Sequence, residues 1–352
     1  MMQINHLSDK GIQGVTGKSP NNVAVIRAEI VALYCRHFQS MGAPLGRLLE
    51  RAGISPELIA VSNAMVPSRS AYHLAELACS SLQTEHLGLL IGRSSSLLEL
   101  GAYGRHLTKA RTIADYLKQG LAQYNTLNNG ERLWLSSHGA ELRLNYATGS
   151  KPSLGAYQAQ LFTMVLTVAT LRRATRSGWS PREVGFAYQS REPMPPAAEF
   201  ARSSIVNGCD HSYLTIPTAF LRMPLAPVSE ENSPVSEDSL PPVPKDLTRL
   251  VIAQIDALGT KTGDFHIDTL AASLAMSRRS LQRAIAREGF SFQQLLTRHR
   301  MDKAAGWLAI PEKSVTEIAL DLGYTDASNF SRAFRRHTGY SPREFRAGPG
   351  RS

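Results

Sequence analysis

The sequence predicts an α+β N-terminal domain with a small sheet, followed by an all-α C-terminal domain with two helix-turn-helix motifs joined by a linker helix. Residues 267–285 and 315–334 each combine a short helix, a tight turn and a second helix that begins with polar residues. Residues 131–137 and 140–146 alternate apolar and polar side chains, which is typical of a β-hairpin. Segments with helical periodicity lie on both sides of this hairpin.

The length of 352 residues predicts at least two domains. Residues 1–20 are rich in Gly, Lys, Ser and Asn without periodicity, and we expect a flexible tail there. Residues 225–244 hold five prolines, four acidic residues and no basic residue, which is typical of an extended linker. These boundaries leave folded domains at 21–224 and 245–347.

In the N-terminal domain, helical periodicity occurs at 23–38, 70–82, 112–125 and 156–173. The hairpin is expected to turn at His138 and Gly139, and two further strands are predicted at 183–189 and 213–216. The longest apolar stretch, 161–171, is too short to span a bilayer and predicts a buried helix.

Residues 45–59 also resemble a helix-turn-helix motif. The second of its helices begins with Pro56 and Glu57 and carries no basic residue that could contact a base. An acidic helix start would repel DNA phosphates, so we expect a packed helical pair here instead of a DNA-binding element.

The formal net charge of +10 and the pI near 9.7 favour a polyanionic partner. Residues 245–352 contain 17 Lys and Arg against 11 Asp and Glu, so more than half of the excess charge lies in less than a third of the chain. This distribution suits the binding of phosphates without regard to sequence. Charge alone would favour a merely solvated basic surface, so the prediction of DNA binding depends on the motifs.

The three cysteines, Cys35, Cys79 and Cys209, are far apart and fit no metal-ligand spacing, which predicts a reduced, cytoplasmic protein. Cys209 and His211 could be read as a metal pair, but a loop that enters a strand is the favoured interpretation. The N-terminus lacks the apolar region of a signal peptide. We therefore expect no metal, no cofactor and no membrane partner.

The second helix of the first motif has a buried and an exposed face by its spacing. Leu281 and Ile285 are expected to face the core, and Ser277 is suited to cap the helix and is expected to contact DNA. The exposed face presents three side chains that can hydrogen-bond guanine or adenine edges, namely Arg279, Gln282 and Arg283. Two further arginines are expected at phosphates, namely Arg278 and Arg287. The alternative is a solvated helix face that happens to carry arginine.

In the second motif, Ser314 and Glu317 form a capping box and Gly323 supplies the positive φ that ends the first helix. Thr325 or Asp326 is expected to cap the second helix. The predicted DNA-contacting residues of that helix are Ala327, Ser328, Asn329, Arg332, Arg335 and Arg336. Among them, Asn329 and Arg332 are the candidates for base contacts, Ala327 can contact a thymine methyl, and the last two arginines lie near the phosphates. The shorter side chains predict weaker discrimination than in the first motif.

Between the motifs, residues 291–308 form a predicted helix with apolar positions at 292, 296, 304 and 308. A rigid helix here would hold the two reading helices about one duplex turn apart, roughly 34 Å. Both could then enter successive major grooves on one face of the DNA, with DNA bending as one way to meet that geometry.

Residues 246–346 resemble the paired helix-turn-helix domain of the AraC family of bacterial transcription regulators. The resemblance is carried by the pattern Leu274-x-x-Ser277-x-x-x-Leu281-x-Arg283, by Ile318, Gly323, Ser328, Phe330 and Phe334 in the second motif, and by the closing segment 338–346. Residues 87–92, the hairpin and 183–186 resemble, more loosely, the N-terminal arabinose-binding-type domain of such regulators. The sequence departs from the commonest pattern at 284–285 and 289–290, which affects packing more than base contacts.

The resemblance implies a sequence-specific transcription regulator, more often an activator in this family, that binds double-stranded promoter DNA and contacts RNA polymerase. It also implies effector sensing or homodimer formation through residues 21–224. Two forms of control stay open. The N-terminal domain either binds a small-molecule effector or acts without a ligand, through a protein partner or proteolysis. Five aromatic residues either line a ligand pocket or form ordinary core, namely Tyr103, Tyr124, Trp134, Tyr157 and Phe162.

An enzyme is the rival class, because some proteins with this DNA-binding domain repair alkylated DNA through nucleophilic cysteines. That chemistry requires clustered cysteines, and the three in this chain do not cluster in sequence. The sequence also contains no phosphate-binding glycine loop, no zinc-protease helix motif and no nucleophile elbow. We therefore expect no catalytic residues and no enzymatic activity.

Overall fold

The computed structural model describes residues 23–225, 240–259 and 265–348. The described residues divide into two compact units, one made of those up to 243 except 63–65, the other of 63–65 and those from 244 onward. The tail predicted at 1–20 and most of the predicted linker, 226–239, lie outside the described residues. As the sequence predicts, residues 23–225 combine helices with sheets, and the described part of 244–348 contains helices without strands.

Most of the helices of residues 23–225 come before the strands of a five-stranded sheet in the chain. The helices are α1 (Ala28–Ser40), α2 (Leu45–Ala52), α3 (Pro56–Ile59), α4 (Ser68–Leu82), α5 (Leu87–Ser94), α6 (Gly101–Thr108), α7 (Ile113–Gln123) and α8 (Leu154–Thr175). The strands are β1 (Val25–Arg27), β2 (Met65–Pro67), β3 (Glu131–His138), β4 (Glu141–Thr148), β5 (Glu183–Phe186), β6 (Ser204–Asn207) and β7 (Ser212–Pro217). The predicted helical pair at 45–59 is present as α2 and α3.

The main sheet has the strand order β3-β4-β7-β5-β6, and β1 pairs with β2 in a separate two-stranded sheet. Strands β3 and β4 form the predicted antiparallel hairpin, in the register that places Leu135 opposite Leu144. Strand β7 pairs antiparallel with both β4 and β5, whereas β6 is parallel to β5. The hairpin thus forms one edge of the sheet, and its strand β4 pairs with the central strand β7.

Several boundaries differ from the sequence predictions. The helix predicted from residue 23 begins at Ala28, because residues 25–27 are fully buried and pair as strand β1. The hairpin turns at Gly139 and Ala140, since His138 still pairs with Glu141. Strand β5 ends at Phe186 instead of residue 189, and the sequence analysis missed β6 and β2 entirely.

Helices α5 and α8 pack closely at Gly88. A Cβ atom at this position would lie 2.2 Å from the backbone oxygen of Gln158, so only glycine fits without a shift. The Gly88 N–H also donates a hydrogen bond of 2.9 Å to Oε1 of Gln158. This contact explains the glycine in the segment 87–92, where sequence alone showed only a resemblance.

Helix α8 contains the apolar stretch 161–171 and is 22 residues long. By length and composition alone this helix could cross a membrane, so the sequence argument that the stretch is too short does not hold for the whole helix. However, 78% of its most apolar window is buried inside the protein, which is typical of the core helix of a globular fold.

Residues 244–348 form seven helices within the part of the chain that the structure describes. They are α9 (Leu247–Leu258), α10 (Ile267–Ser273), α11 (Arg278–Arg287), α12 (Phe292–Leu308), α13 (Val315–Asp321), α14 (Ala327–Thr338) and α15 (Pro342–Ala347). Helix α12 is the predicted linker helix, and its 17 residues correspond to about 25 Å at 1.5 Å per residue. The apolar positions predicted on it are buried, namely Phe292, Leu296, Ala304 and Leu308.

The close contact at Gly88 generates a stability prediction. Gly88→Ala should destabilise the first unit by about 1–3 kcal/mol or more, because overpacking forces shifts in a dense core. The matched control is Gly46→Ala on α2, where a Cβ would meet no atom within 4 Å. This control should be neutral or stabilising by up to about 1 kcal/mol, since alanine favours helix. Thermal unfolding midpoints of both variants measure the difference, and equal midpoints would contradict the packing argument.

Candidate nucleic-acid interface

The two motifs share one turn geometry. In the first, Ala275 has a φ of 50° and the N–H of Met276 donates to the carbonyl of Ala271 at 2.8 Å. In the second, Gly323 has a φ of 79° and the N–H of Tyr324 donates to the carbonyl of Ala319 at 2.9 Å. A left-handed residue followed by this hydrogen bond ends a helix and redirects the chain.

The second helix of each motif is anchored by two buried side chains. Leu281 and Ile285 on α11 are at most 1% exposed, and Phe330 and Phe334 on α14 are fully buried. Each pair is four residues apart and therefore lies on one face of its helix. The opposite face is forced outward in both motifs.

The structure places eleven of the twelve predicted DNA-contacting residues at exposed positions. These are Ser277, Arg278, Arg279, Gln282, Arg283, Arg287, Ser328, Asn329, Arg332, Arg335 and Arg336. The twelfth, Ala327, is half-buried and packs against the core of the second motif. The structure therefore gathers the predicted residues on two outward faces, and their contacts with DNA stay a prediction.

Side chains of the first motif are largely free of internal partners. Within the described residues, no hydrogen bond or ion pair is recorded for the side chains of Arg279, Gln282 and Arg283. Arg278 donates to Oδ2 of Asp268 on α10 at 3.1 Å. Both partners are more than half exposed, so this ion pair is worth about 0.2–1 kcal/mol and a phosphate can displace it.

Side chains of the second motif form a continuous network instead. Asp326 caps α14, because its Oδ1 accepts from the Asn329 N–H at 2.7 Å. The Asn329 amide nitrogen donates to Oδ2 of Asp326 at 2.6 Å and to Oγ1 of Thr325 at 2.9 Å. Arg332 donates to Oδ1 of Asn329 at 2.6 Å. An adenine contact by Asn329 would have to replace these bonds.

The two motifs differ by one residue between turn and helix, which the sequence analysis missed. Ala275 and Gly323 are 48 positions apart, but the buried residues Leu281 and Phe330 are 49 apart. The cap residue follows the left-handed residue by two positions in the first motif (Ser277 after Ala275) and by three in the second (Asp326 after Gly323). Arg283 thus corresponds to Arg332, whereas Arg279 corresponds to Ser328.

The closing segment of the chain holds the second motif in place. Phe345 on α15 contacts Phe334 edge to face, with ring centroids 5.4 Å apart. Arg346 donates to the backbone oxygens of Leu308 and Lys313, which belong to the end of α12 and the loop that follows. Sequence analysis recognised this segment only as part of a signature, and its structural role was missed.

Residues 23–225 contain a second candidate site, a cavity of about 120 Å³ enclosed mainly by α1, α4, α7, α8 and the hairpin. Three of the five aromatics that were candidates for a pocket line it, namely Tyr103, Tyr124 and Phe162. Trp134 instead packs against His211, and Tyr157 contacts His86 outside this cavity. The polar residue Glu131, which sequence analysis treated only as the start of a strand, lies on the cavity wall.

The cysteines lie apart from both sites. Cys35 and Cys79 are buried and free, and burial raises the pKa of each thiol to about 12. Cys209 precedes β7 in a loop, and Nε2 of His211 lies 3.1 Å from Oδ1 of Asn145. Within the residues described, no group of three or more His, Cys, Asp or Glu side chains is placed to hold a metal ion.

Two family models match the chain. The N-terminal arabinose-binding domain of AraC transcription regulators matches residues 42–225, and a helix-turn-helix domain matches residues 270–348. The first match alone covers more than half of the chain. The chain belongs to the AraC family of transcription regulators.

Relatives of this AraC-family regulator match either most of the chain or about a quarter of it. The ornithine utilization regulator of Pseudomonas aeruginosa is 29% identical over 318 residues, which cover 86% of this chain and 90% of the relative. The regulator VirS of Mycobacterium tuberculosis is 40% identical over 86 residues, 24% of this chain and 25% of its own. The solved structure of the regulator CdpR from Pseudomonas aeruginosa covers 88% of this chain and 98% of its own, at 19% identity and a TM-score of 0.38.

The helix caps of this AraC-family regulator generate a prediction about acid stability. Hydrogen bonds from the Asn329 backbone lower the pKa of Asp326, and bonds with Ser314 and Ser341 lower those of Glu317 and Glu344. A lowered pKa stabilises the fold above the ordinary carboxyl range, and this stabilisation is lost as the pH falls through the lowered values.

Asp326→Asn keeps an oxygen acceptor at the cap but removes its titration. The variant should be less stable than the wild type at neutral pH, and the difference should shrink as the pH falls below about 4. Thermal unfolding between pH 7 and pH 3 measures this. Asp302→Asn, at an exposed position on α12, is the matched control. A difference that stays constant with pH would contradict the role of the charged cap.

Proposed function

We propose that this AraC-family regulator inserts α11 and α14 into successive major grooves of one promoter duplex. The observation that carries the proposal is the pair of outward basic faces, each fixed by a matched turn, a capped helix start and two buried anchors. Arg279, Gln282 and Arg283 are assigned to base edges in the first groove. Arg332 and Asn329 take the same role, with weaker discrimination, in the second.

The remaining basic residues are assigned to the DNA backbone. Arg278 and Arg287 lie at the two ends of α11, and Arg335 and Arg336 lie in the last turn of α14. Contacts of this kind position a protein on DNA without reading its sequence, and they weaken as salt concentration rises.

Residues 21–224 are assigned to effector sensing and to formation of a homodimer, and 225–244 to a linker that joins this domain to the DNA-binding domain at 245–347. The family model supports a small-molecule effector, and the cavity near Glu131 is a place in the described residues that suits one. Control by a protein partner or by proteolysis is the alternative. An activator that contacts RNA polymerase in the cytoplasm is the form of regulation we favour, in line with the RhaS activators that the DNA-binding domain resembles.

A role without catalysis is part of the proposal. The buried thiols of Cys35 and Cys79 have raised pKa values, which disfavours the thiolate that alkyl transfer requires. Their environment is that of core side chains, with desolvation as the largest cause of both shifts.

Removal of a base-contacting arginine tests the assignment. Arg279→Ala and Arg332→Ala should each raise the dissociation constant for specific DNA by roughly 5- to 150-fold, because one good base contact is worth about 1–3 kcal/mol. Gel shifts with the intergenic DNA upstream of the protein's own gene measure this. Arg51→Ala, an exposed arginine on α2, is the matched control and should bind like the wild type. If both test variants also bind like the wild type, the assignment is wrong.

Removal of a phosphate contact should behave differently. Arg278→Ala should lower the affinity for specific and for non-specific DNA to the same degree. It should also reduce the steepness of log affinity against log salt concentration by about 1. Fluorescence anisotropy over a range of salt concentrations provides both quantities. A loss confined to the specific sequence would place Arg278 at a base instead.

A further inference from the structure

The cavity enclosed by residues 26–167 has one polar end in an otherwise apolar wall. Its apolar lining includes Leu74, Leu117, Leu144, Phe162 and Leu166. The polar end is formed by the carboxylate of Glu131 at the start of β3. Apolar cavities near 150 Å³ can hold a benzene molecule, so a cavity of about 120 Å³ suits a ligand body of about six carbon atoms.

Three side chains donate hydrogen bonds to Glu131. The Tyr72 hydroxyl lies 2.6 Å from Oε1, and the Tyr124 hydroxyl lies 2.5 Å from Oε2. The Asn128 amide donates to Oε2 at 3.2 Å. Burial, and then the charge of Glu131, raise the pKa of both tyrosines, so these phenols stay protonated donors. Both carboxylate oxygens of Glu131 thus accept hydrogen bonds from neighbouring side chains.

The Tyr146 hydroxyl reaches the same end of the cavity. Its side chain is 1% exposed, and its oxygen makes no hydrogen bond of normal geometry with any residue that the structure describes. This hydroxyl lies near Glu131 and Tyr124, and a ligand at this end of the cavity can offer it a better-aligned hydrogen bond.

Positive charge is missing from this wall. Among the described residues that line the cavity there is no Lys, Arg or His. The nearby guanidinium of Arg27 is directed elsewhere, with hydrogen bonds to the backbone oxygens of Thr126 and Pro241. A carboxylate on the cavity wall with no cation in the described lining favours a cationic ligand. Tyr34, Tyr72, Tyr103, Tyr124 and Tyr146 also line the cavity, and the face of an aromatic ring attracts a cation.

We propose that this cavity binds a small monoamine in its protonated form, with the ammonium group against Glu131 and an apolar body of about six carbon atoms among the leucine and phenylalanine side chains. The inference rests on the proposed effector role of residues 21–224 and names the ligand chemistry. A carboxylate or a zwitterionic amino acid fits less well, because the described lining offers no cation to its acid group.

Three probes with the same apolar body test this proposal on the full chain. Isothermal titration at neutral pH should show that hexylamine binds at one site per chain. Its affinity should exceed that of 1-hexanol by at least about tenfold, and hexanoate should not bind. Equal affinities for the amine and the alcohol would overturn the inference, as would preferential binding of hexanoate.

Two variants distinguish the contribution of the Glu131 charge to hexylamine binding from that of the apolar cavity. Glu131→Gln keeps the size of the side chain, removes its charge and replaces one acceptor oxygen by a donor nitrogen, and it should lose at least about tenfold in hexylamine affinity. Glu50→Gln, an exposed glutamate on α2, is the matched control and should bind hexylamine like the wild type. Wild-type affinity in Glu131→Gln would overturn the inference.

A third variant remains informative if Glu131→Gln fails to fold. Ala159→Leu enlarges a side chain that lines the cavity, and it should abolish hexylamine binding without a loss of thermal stability. Unchanged hexylamine binding in this variant would overturn the inference. Gel shifts of the wild type with promoter DNA are measured separately. Specific DNA binding without hexylamine binding overturns only the ligand assignment, whereas failure to bind specific DNA overturns the proposed function.

Discussion

Burial of two apolar side chains on each reading helix is the constraint on which the interface depends. Leu281 and Ile285, like Phe330 and Phe334, leave no rotational freedom to α11 and α14, because a rotation would expose them to water. Fully burying each such side chain is worth about 1.5–3 kcal/mol. The arginines on the opposite faces need no interaction of their own to point outward. The outward positions that we propose for DNA contact are thus set by side chains that lie in the core.

The two motifs use their exposed faces differently. In α11, Arg279 and Arg283 extend from the surface with no recorded partner among the described residues. In α14, Arg332 is linked to Asn329 and through it to the cap Asp326. Side chains without partners can adapt to a base edge, and ordering them costs rotamer entropy. Side chains in a preformed network are already ordered, but they must break their hydrogen bonds to contact a base. This difference is the physical basis of the weaker discrimination that we propose for the second motif.

Local signals in the sequence predict much of this fold. Helix caps at Ser277 and Ser314, the positive φ at Gly323 and the alternation of the hairpin depend on neighbouring residues, and all of them are present in the structure. Strands β1, β2 and β6 were missed, because each is only three or four residues long and forms only through pairing with distant segments.

Among the candidate functional residues, too, those set by local spacing could be predicted and those set by long-range contacts could not. The outward positions on α11 and α14 follow from helical spacing, so sequence analysis could name them. Glu131 could not be recognised, since Tyr72, Asn128, Tyr124 and Tyr146 meet it only after the chain has folded. Arg346 was missed for a related reason, because its partners are backbone oxygens that carry no signature in the sequence.

The additional residue between Gly323 and the start of α14 has a consequence for engineering. One position along a helix corresponds to a rotation of about 100° around its axis. A designer who transplants base preference from the first motif to the second by aligning the supporting helices would therefore graft each new side chain onto the wrong side of α14. Alignment by the buried anchors, Leu281 with Phe330, keeps the grafted residues pointed at the duplex.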